Sequence, residues 1–272
     1  MTMSQPLRLL IPFMLAMLAA CAATDTRQAP IDKPSPAHHN ASPRPLASAE
    51  QLVVVVASNW DTAQGELHRY ERTRAGWKEI GHGHAVMLGR HGMAWGLGLH
   101  PMPQPGPQKQ EGDGRSPAGV FGLPGAFGYA GQEASGLPYE AMSAGHYCID
   151  VPDSPRYNRI VDTAEVGKAA VAGSTEPMRL DLHNNGDPRY ALGLRVDHNP
   201  QAVSGKGSCI FVHLWRQPGE ATAGCTAMAE PDMRALLEWL DPQRRPVLVL
   251  LPEAEYMRLA PTWSLPPLAL IR

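Results

Sequence analysis

The sequence has no excess of positive charge: 24 Lys and Arg stand against 26 Asp and Glu, a formal net charge of -2. With no positive field over the whole molecule, nothing holds a polyanion, and nucleic acid is excluded as a partner on that ground. Charged residues make up only 18% and aromatics 6%. Long apolar runs are also missing beyond one near the start, Leu9 to Ala20, which Pro12 interrupts. That run is shorter than the ~20 residues needed to cross a bilayer, so the sequence does not read as a transmembrane protein. There is no internal repeat and no Gly-rich phosphate loop of Walker or dinucleotide type. What the chain does have is 26 Gly and 27 Pro, a mix that predicts many turns and little long helix.

The N-terminus reads as an export signal over residues 1–20, with a short polar start holding Arg8, an apolar stretch and then small residues. Leu18-Ala19-Ala20-Cys21 resembles the lipobox of bacterial lipoproteins, which implies a lipid on Cys21 as the first mature residue. An ordinary secretory signal cleaved after Ala20 or Ala23 is the alternative. Ala22 stands where that class carries Asp for inner-membrane retention, which implies the outer membrane. Residues 21–50, with five prolines and no apolar period, read as a disordered Pro-rich tether, in which His38 and His39 are simply solvated. Its reach is roughly 30 Å relaxed and about 85 Å in polyproline geometry. Residues 51–272 remain for one folded domain.

Val53 to Ala57 is a β-branched run that predicts a buried strand. Gly65–Thr73 and Trp77–Gly81 flank Arg74-Ala75-Gly76 as a hairpin. Pro101 to Arg115 is a loop, in which Asp113 and Arg115 are expected to pair. Met178–His183 alternates apolar with polar and predicts a strand that forms a hairpin with Tyr190–Val196 across the turn formers Asn184–Pro188. Cys209–Trp215 and Pro246–Leu251 complete the strands. Between these two, Met233, Leu236, Leu237 and Leu240 fall at i, i+3, i+4 and i+7 behind Pro231, a helix that Asp241-Pro242 ends. The tail from Pro252 shows no usable period. The expected class is mainly β with a few peripheral helices.

Of four cysteines, Cys21 is accounted for by lipid, which leaves Cys148, Cys209 and Cys225. An odd count in an exported chain points to a free thiol with a function or to pairing between chains. Cys148 and Cys209 both lie in apolar surroundings and a disulfide between them stays open. Cys225 instead ends the small-residue loop Thr222-Ala223-Gly224-Cys225, where a substrate backbone can approach and amides can face an oxyanion. A thiol attacks only as its thiolate, and His213, twelve residues earlier on the preceding strand, is the candidate base. From spacing alone, a core histidine and a small buried thiol are equally good readings.

Gly207-Ser-Cys-Ile-Phe-Val-His213 followed by Thr222-Ala-Gly-Cys225 resembles the active-site region of the L,D-transpeptidase (YkuD-type) family of bacterial cell-wall enzymes. Gly89–Gly96, Glu111–Phe121 and Tyr157–Val161 resemble the branch with a short loop between His and Cys, so the likeness runs from about 52 to 251. The resemblance implies a β-sandwich catalytic domain that uses no cofactor and no metal, held at the membrane only by its lipid in the periplasm. It also implies that Cys225 attacks the carbonyl of the third stem residue of a peptidoglycan tetrapeptide. His213 takes the thiol proton and later protonates the leaving D-alanine, and the amides of Gly224 and Cys225, on the loop that begins at Thr222, stabilise the oxyanion. An amine then gives a 3-3 cross-link. Members often carry His before the motif Gly and Arg two residues after the Cys; here Ala223 and Ala227 stand there, which removes an anchor for a carboxylate or the stem backbone.

His198, at a strand end, is a candidate for the cleft. Three rival readings remain. One is an L,D-carboxypeptidase or hydrolase that trims stems or wall-linked protein. The second is a wall-binding lipoprotein without turnover, which thiol reactivity below about pH 8 is expected to separate from an enzyme. The third is a zinc hydrolase built on His82, His84, His91 and His100, disfavoured because no HExxH-like helix is present.

Overall fold

The computed structural model describes residues 44–268. The signal segment, Cys21, the His38-His39 pair and most of the expected tether lie outside them. The packed domain begins before residue 51: Leu46 and Ala49 are buried in the core, and the Arg72 guanidinium donates to their carbonyls at 2.7 and 2.6 Å.

The centre of the domain is built from strands that are apolar on both faces. β1 (Gln51–Ala57) is buried along its whole length. Such a strand needs cover on two sides, as its run of four valines implies. It pairs antiparallel with β2 (Gln64–Thr73), which turns through Arg74 and Ala75 into β3 (Gly76–Met87), so the expected hairpin forms and extends beyond Gly81. On its other edge β1 pairs parallel with β14 (Val247–Pro252), also buried throughout. β4 (Met93–Trp95) and β5 (Ser116–Gly122) continue outward from β14. From β3 the sheet runs in the opposite direction through β13 (Thr226–Met228), β12 (Phe211–Leu214), β11 (Leu192–Arg195), β6 (Ala126–Gly128) and β7 (Tyr139–Ala141). The result is one mixed sheet of eleven strands in the order β4-β5-β14-β1-β2-β3-β13-β12-β11-β6-β7. A second sheet of three strands has β8 (His146–Cys148) between β9 (Ile160–Asp162) and β10 (Glu176–Pro177). The domain is mainly β, with few and short helices.

The helices are α1 (Thr163–Val166), α2 (Leu180–His183), α3 (Glu230–Trp239) and α4 (Glu253–Trp263). α3 is the helix the sequence predicts. Pro231 sits in its first turn, Glu230 and Asp232 meet the positive end of the helix dipole, and Met233, Leu236 and Leu237 are buried. α4 covers β1 and β14 with Tyr256, Leu259 and Trp263, in the tail where no period was legible.

Residues 178–183 correct the expected strand. Leu180–His183 is a helical turn, Met178 and Leu180 are buried and Leu182 is half exposed, so the alternation does not mark one buried face. No hairpin with 190–196 forms, because both edges of β11 are already taken, by β6 and by β12. The Asp113–Arg115 pairing is also different from the expected one. Asp113 accepts from the Arg115 amide at 2.9 Å and binds the Lys109 ammonium, while the Arg115 guanidinium reaches Asp61 and the carbonyls of Trp60 and Met93.

Cys148 and Cys209 are joined by a disulfide across 61 residues, which ties β8 of the small sheet to the residue where the chain turns into β12. Cys225 is free and buried.

Candidate active site

Two strands set the site. β12 and β13 run parallel in the register Val212↔Thr226, His213↔Ala227 and Leu214↔Met228. Side chains alternate along each strand, and partners in a parallel pair point the same way. Val212, Leu214 and Met228 therefore enter the main core, whereas Phe211 and Cys225 enter a second, smaller apolar cluster with Phe127, Tyr190 and Cys209. His213 shares their face. Its ring stands edge-on to Tyr190 with centroids 5.3 Å apart. Cys225, one residue ahead of β13, thus lies on the same wall as the histidine. Both line one cavity of about 530 Å³.

The thiol and imidazole are each held by backbone. The Phe211 amide donates to Cys225 Sγ at 3.4 Å, and the thiol donates to the Cys209 carbonyl at 3.5 Å. His213 Nδ1 lies 2.7 Å from the Leu214 carbonyl, which can only accept, so Nδ1 carries the proton and Nε2 is left as the base. Burial lowers the His213 pKa to about 4 and, with the nearby Glu176 carboxylate, pushes the Cys225 thiol up to about 12. Burial thus favours the neutral form of both the thiol and the imidazole. Slow alkylation near neutrality is therefore expected of an enzyme as well as of an inert thiol, and the sequence-based reactivity test loses its power to separate them.

The loop before the nucleophile is clamped. Thr222 Oγ1 donates to the Cys225 carbonyl at 2.6 Å and accepts from the Gly224 amide at 3.1 Å. The Gly224 amide, expected to face an oxyanion, is thus engaged within the loop. Ser116 Oγ donates to the same Cys225 carbonyl at 3.0 Å and accepts from the Gly89 amide at 2.9 Å. Gly89 must be glycine: a Cβ there would stand 2.4 Å from the Gly114 carbonyl oxygen and 2.7 Å from the Ser116 amide. Two upstream segments singled out in the sequence for likeness alone, 89–96 and 111–121, therefore meet at the back of Cys225.

Tyr157–Val161 has a comparable task. Asn158 accepts from the Cys209 amide at 2.9 Å and donates to the carbonyls of His198 and Asn199. Tyr157 and Ser208 both donate to Glu111, which lines the cavity. His198 is not on the wall of the Cys225 cavity. It lines a separate one of about 340 Å³ and is 2% exposed. Both its nitrogens are used, Nδ1 accepting from the Leu97 amide at 3.3 Å and Nε2 facing the Lys206 carbonyl at 3.0 Å. It holds loops together.

Sequence reasoning missed Glu176 and gave Tyr190 no role beyond its strand. Tyr190 donates its hydroxyl to Glu176, and burial raises that carboxyl to about 7, against the lowering effect of the tyrosine bond and Arg189; Asp150 and Glu111 add repulsion. Both residues line the Cys225 cavity, as do Lys109 and Arg189. Among the described residues no group of three or more His, Cys, Asp or Glu is placed to hold a metal ion. His84 pairs with Asp232, His91 with the Asp113 carbonyl, and His100 is boxed by Trp95, Phe121 and Trp263.

The buried histidines set an acid limit on stability. His100, His198 and His213 are each lowered to about 4 from 6.5, chiefly by burial. Between those values the unfolded chain binds more protons, so each favours folding at neutral pH and loses that contribution as pH falls from 6.5 through 4. Glu176, raised to about 7 from 4.5, acts oppositely over nearly the same window. Three groups outweigh one. Melting followed by circular dichroism should show a midpoint roughly 5–10 °C lower at pH 4.5 than at pH 7. A midpoint that is constant or rises on acidification contradicts the assignment of these rings as buried and neutral.

The mainly β domain thus presents a cysteine and a histidine on one face of the wall of a single cavity. The YkuD family, the L,D-transpeptidase catalytic domain, matches residues 61–249, and the chain belongs to that family. It is a peptidoglycan enzyme of the L,D-transpeptidase type, which places its work outside the cytoplasm. No curated protein and no solved structure matches the chain. Among the described residues no helix is long and apolar enough to cross a membrane.

Proposed function

We propose that the enzyme transfers the acyl group of a tetrapeptide stem through a thioester on Cys225. The observation that carries this reading is the parallel β12–β13 register, which sets His213 and Cys225 on one cavity wall with His213 Nδ1 already tied to a carbonyl. His213 Nε2 takes the thiol proton as Sγ bonds to the carbonyl carbon of the third stem residue. The proton passes to the nitrogen of the departing D-alanine, the C–N bond breaks, and the acyl group remains on sulfur. Because burial favours the neutral form of both groups, proton transfer accompanies attack and does not precede it. The amide of Cys225, with that of Gly224 once Thr222 releases it, faces the oxyanion. An amine of a second stem then attacks the thioester to give a 3-3 cross-link, and the proton it loses passes through His213 Nε2 to the departing Cys225 sulfur, which restores the starting thiol and imidazole.

Water in place of the amine gives a tripeptide, the carboxypeptidase outcome. Incubation with purified disaccharide-tetrapeptide and mass analysis of the products decides between them. The expected product is a cross-linked dimer lacking one alanine. Monomers lacking alanine would mean that water wins at the thioester, and an untouched substrate would favour a binding role.

In the same reading Cys21 carries the lipid and the segment up to the domain is a tether that lets a periplasmic, outer-membrane-anchored enzyme reach the wall. Cys21→Ala should move the protein from the membrane fraction to the soluble one; retention in the membrane fraction would contradict the anchor.

A further inference from the structure

Arg189 is placed to supply the cation that position 227 does not. Ala227 stands opposite His213 in the β12–β13 register, and its small side chain borders a recess lined also by His213, Thr222, Arg189 and Arg216. Arg189 belongs to both this recess and the large Cys225 cavity. It immediately precedes Tyr190, whose ring stands against His213, and its carbonyl accepts from the Leu214 amide at 3.0 Å. Its guanidinium is held in one orientation by the buried Asp187, which accepts from Nε at 2.9 Å and from Nη2 at 2.7 Å. Nη1 has no hydrogen-bond partner among the described residues, and the side chain is 29% exposed. A fork fixed on one side with free N–H groups on the other suits a carboxylate, which accepts in the same plane. The other cation of the cavity wall, Lys109, is differently placed: its ammonium is tied to Asp113 and to the Gln110 carbonyl, and it is 5% exposed. Arg216 is occupied by Glu220.

The position relative to His213 gives the ligand. The imidazole must meet the nitrogen of the departing residue, and in an amino acid the carboxylate carbon lies only two bonds from that nitrogen, through Cα. A cation beside His213 therefore meets the carboxylate of a leaving group that is one residue long. We propose that Arg189 binds the terminal carboxylate of the donor stem and thereby restricts Cys225 to attack one residue from a free C-terminus. This rests on the reading of the site as a stem-peptide acyltransferase. Substrates extended by one residue, or capped as the C-terminal amide, lose the contact.

The test crosses two enzymes with two substrates. Disaccharide-tetrapeptide as the free acid and as its C-terminal amide are compared on the wild-type protein and on Arg189→Lys, which keeps a positive charge against Asp187 but not the fork. Wild type should prefer the acid by about 10- to 100-fold in kcat/KM, with most of the difference in KM, as a charge-assisted contact remote from the reacting bond implies. Arg189→Lys and Arg189→Gln should shrink the acid-to-amide ratio in kcat/KM to a few-fold, and it is this ratio, not the absolute rate on either substrate, that the test reads. A role confined to structure would lower both substrates together and leave the ratio in place. If the wild type uses acid and amide equally, or if the ratio survives in both variants, the inference fails even though the function stands. If no stem substrate reacts with the wild type at all, it is the functional reading that fails, and Arg189 with it.

Discussion

Cys225→Ala should lower turnover of the tetrapeptide by at least about 10⁴-fold, and His213→Ala by about 10³-fold or more, with the double variant no worse than Cys225→Ala. The reason lies in how the two depend on each other. The thiol is pushed up to about 12 by burial and by Glu176, so it has no useful thiolate fraction of its own near neutrality. In the proposed mechanism the imidazole, kept neutral by a pKa lowered to about 4, removes the proton at the moment of attack. Without the thiol the base has nothing to activate, which makes the losses overlap instead of adding. Initial rates by mass spectrometry, with melting curves to show that the variants fold, check this. Losses that multiply would mean that the two residues act in separate steps.

Removing the disulfide as Cys148→Ala with Cys209→Ala should cost about 4 kcal/mol, from the chain entropy released by opening a loop of some 60 residues. For a domain of this size that lowers the melting midpoint by roughly 10–15 °C. Activity should fall as well, for a local reason. Cys209 accepts the Cys225 thiol at its carbonyl, its amide is fixed by Asn158, and its φ is +54°, a left-handed conformation that a non-glycine residue keeps only when its surroundings hold it. Releasing the sulfur from β8 frees that residue, and the carbonyl beside Sγ moves with it. Differential scanning calorimetry and kcat on the double variant measure both effects. A midpoint within about 2 °C of wild type would show that the bridge is incidental to the fold.

That His213, Thr222, Gly224 and Cys225 line one cavity was legible because these residues are close in sequence. The loop Thr222–Cys225 and the strand ending near His213 are short segments whose spacing survives folding, and β1, the β2–β3 hairpin and α3 are carried by patterns that tertiary contacts reinforce. What was not legible arrives from elsewhere in the chain. Glu176 comes from the edge of the small sheet, and nothing in Ser174-Thr175-Glu176-Pro177 distinguishes a carboxylate buried against Tyr190 from a solvated one. Ser116 was visible only as a letter in a motif; its hydroxyl matters because Gly89 lets the backbone come close enough for both to back Cys225.

The misread 178–183 segment had the alternation of a strand but no free edge to pair with, a fact about β6 and β12 and not about its own residues. α4 was hidden by the prolines around it. Pro252 occupies the cap position, where a missing N–H costs little, and Pro261 falls in the last turns, so Tyr256, Leu259 and Trp263 still form a buried stripe. His198 shows the reverse error. A histidine at a strand end looked available for a cleft, yet it is committed at both nitrogens to backbone groups of other loops.

The central claim is a covalent acyl intermediate on Cys225, and intact-protein mass spectrometry tests it most directly. Wild-type protein is mixed with disaccharide-tetrapeptide, quenched in acid within seconds, weighed, and then digested to locate any adduct. The account predicts a mass gain equal to the substrate less one alanine, on the peptide that contains Cys225, removable by hydroxylamine and absent from Cys225→Ala. Product formed without any such adduct, or an adduct carried on another residue, would contradict it.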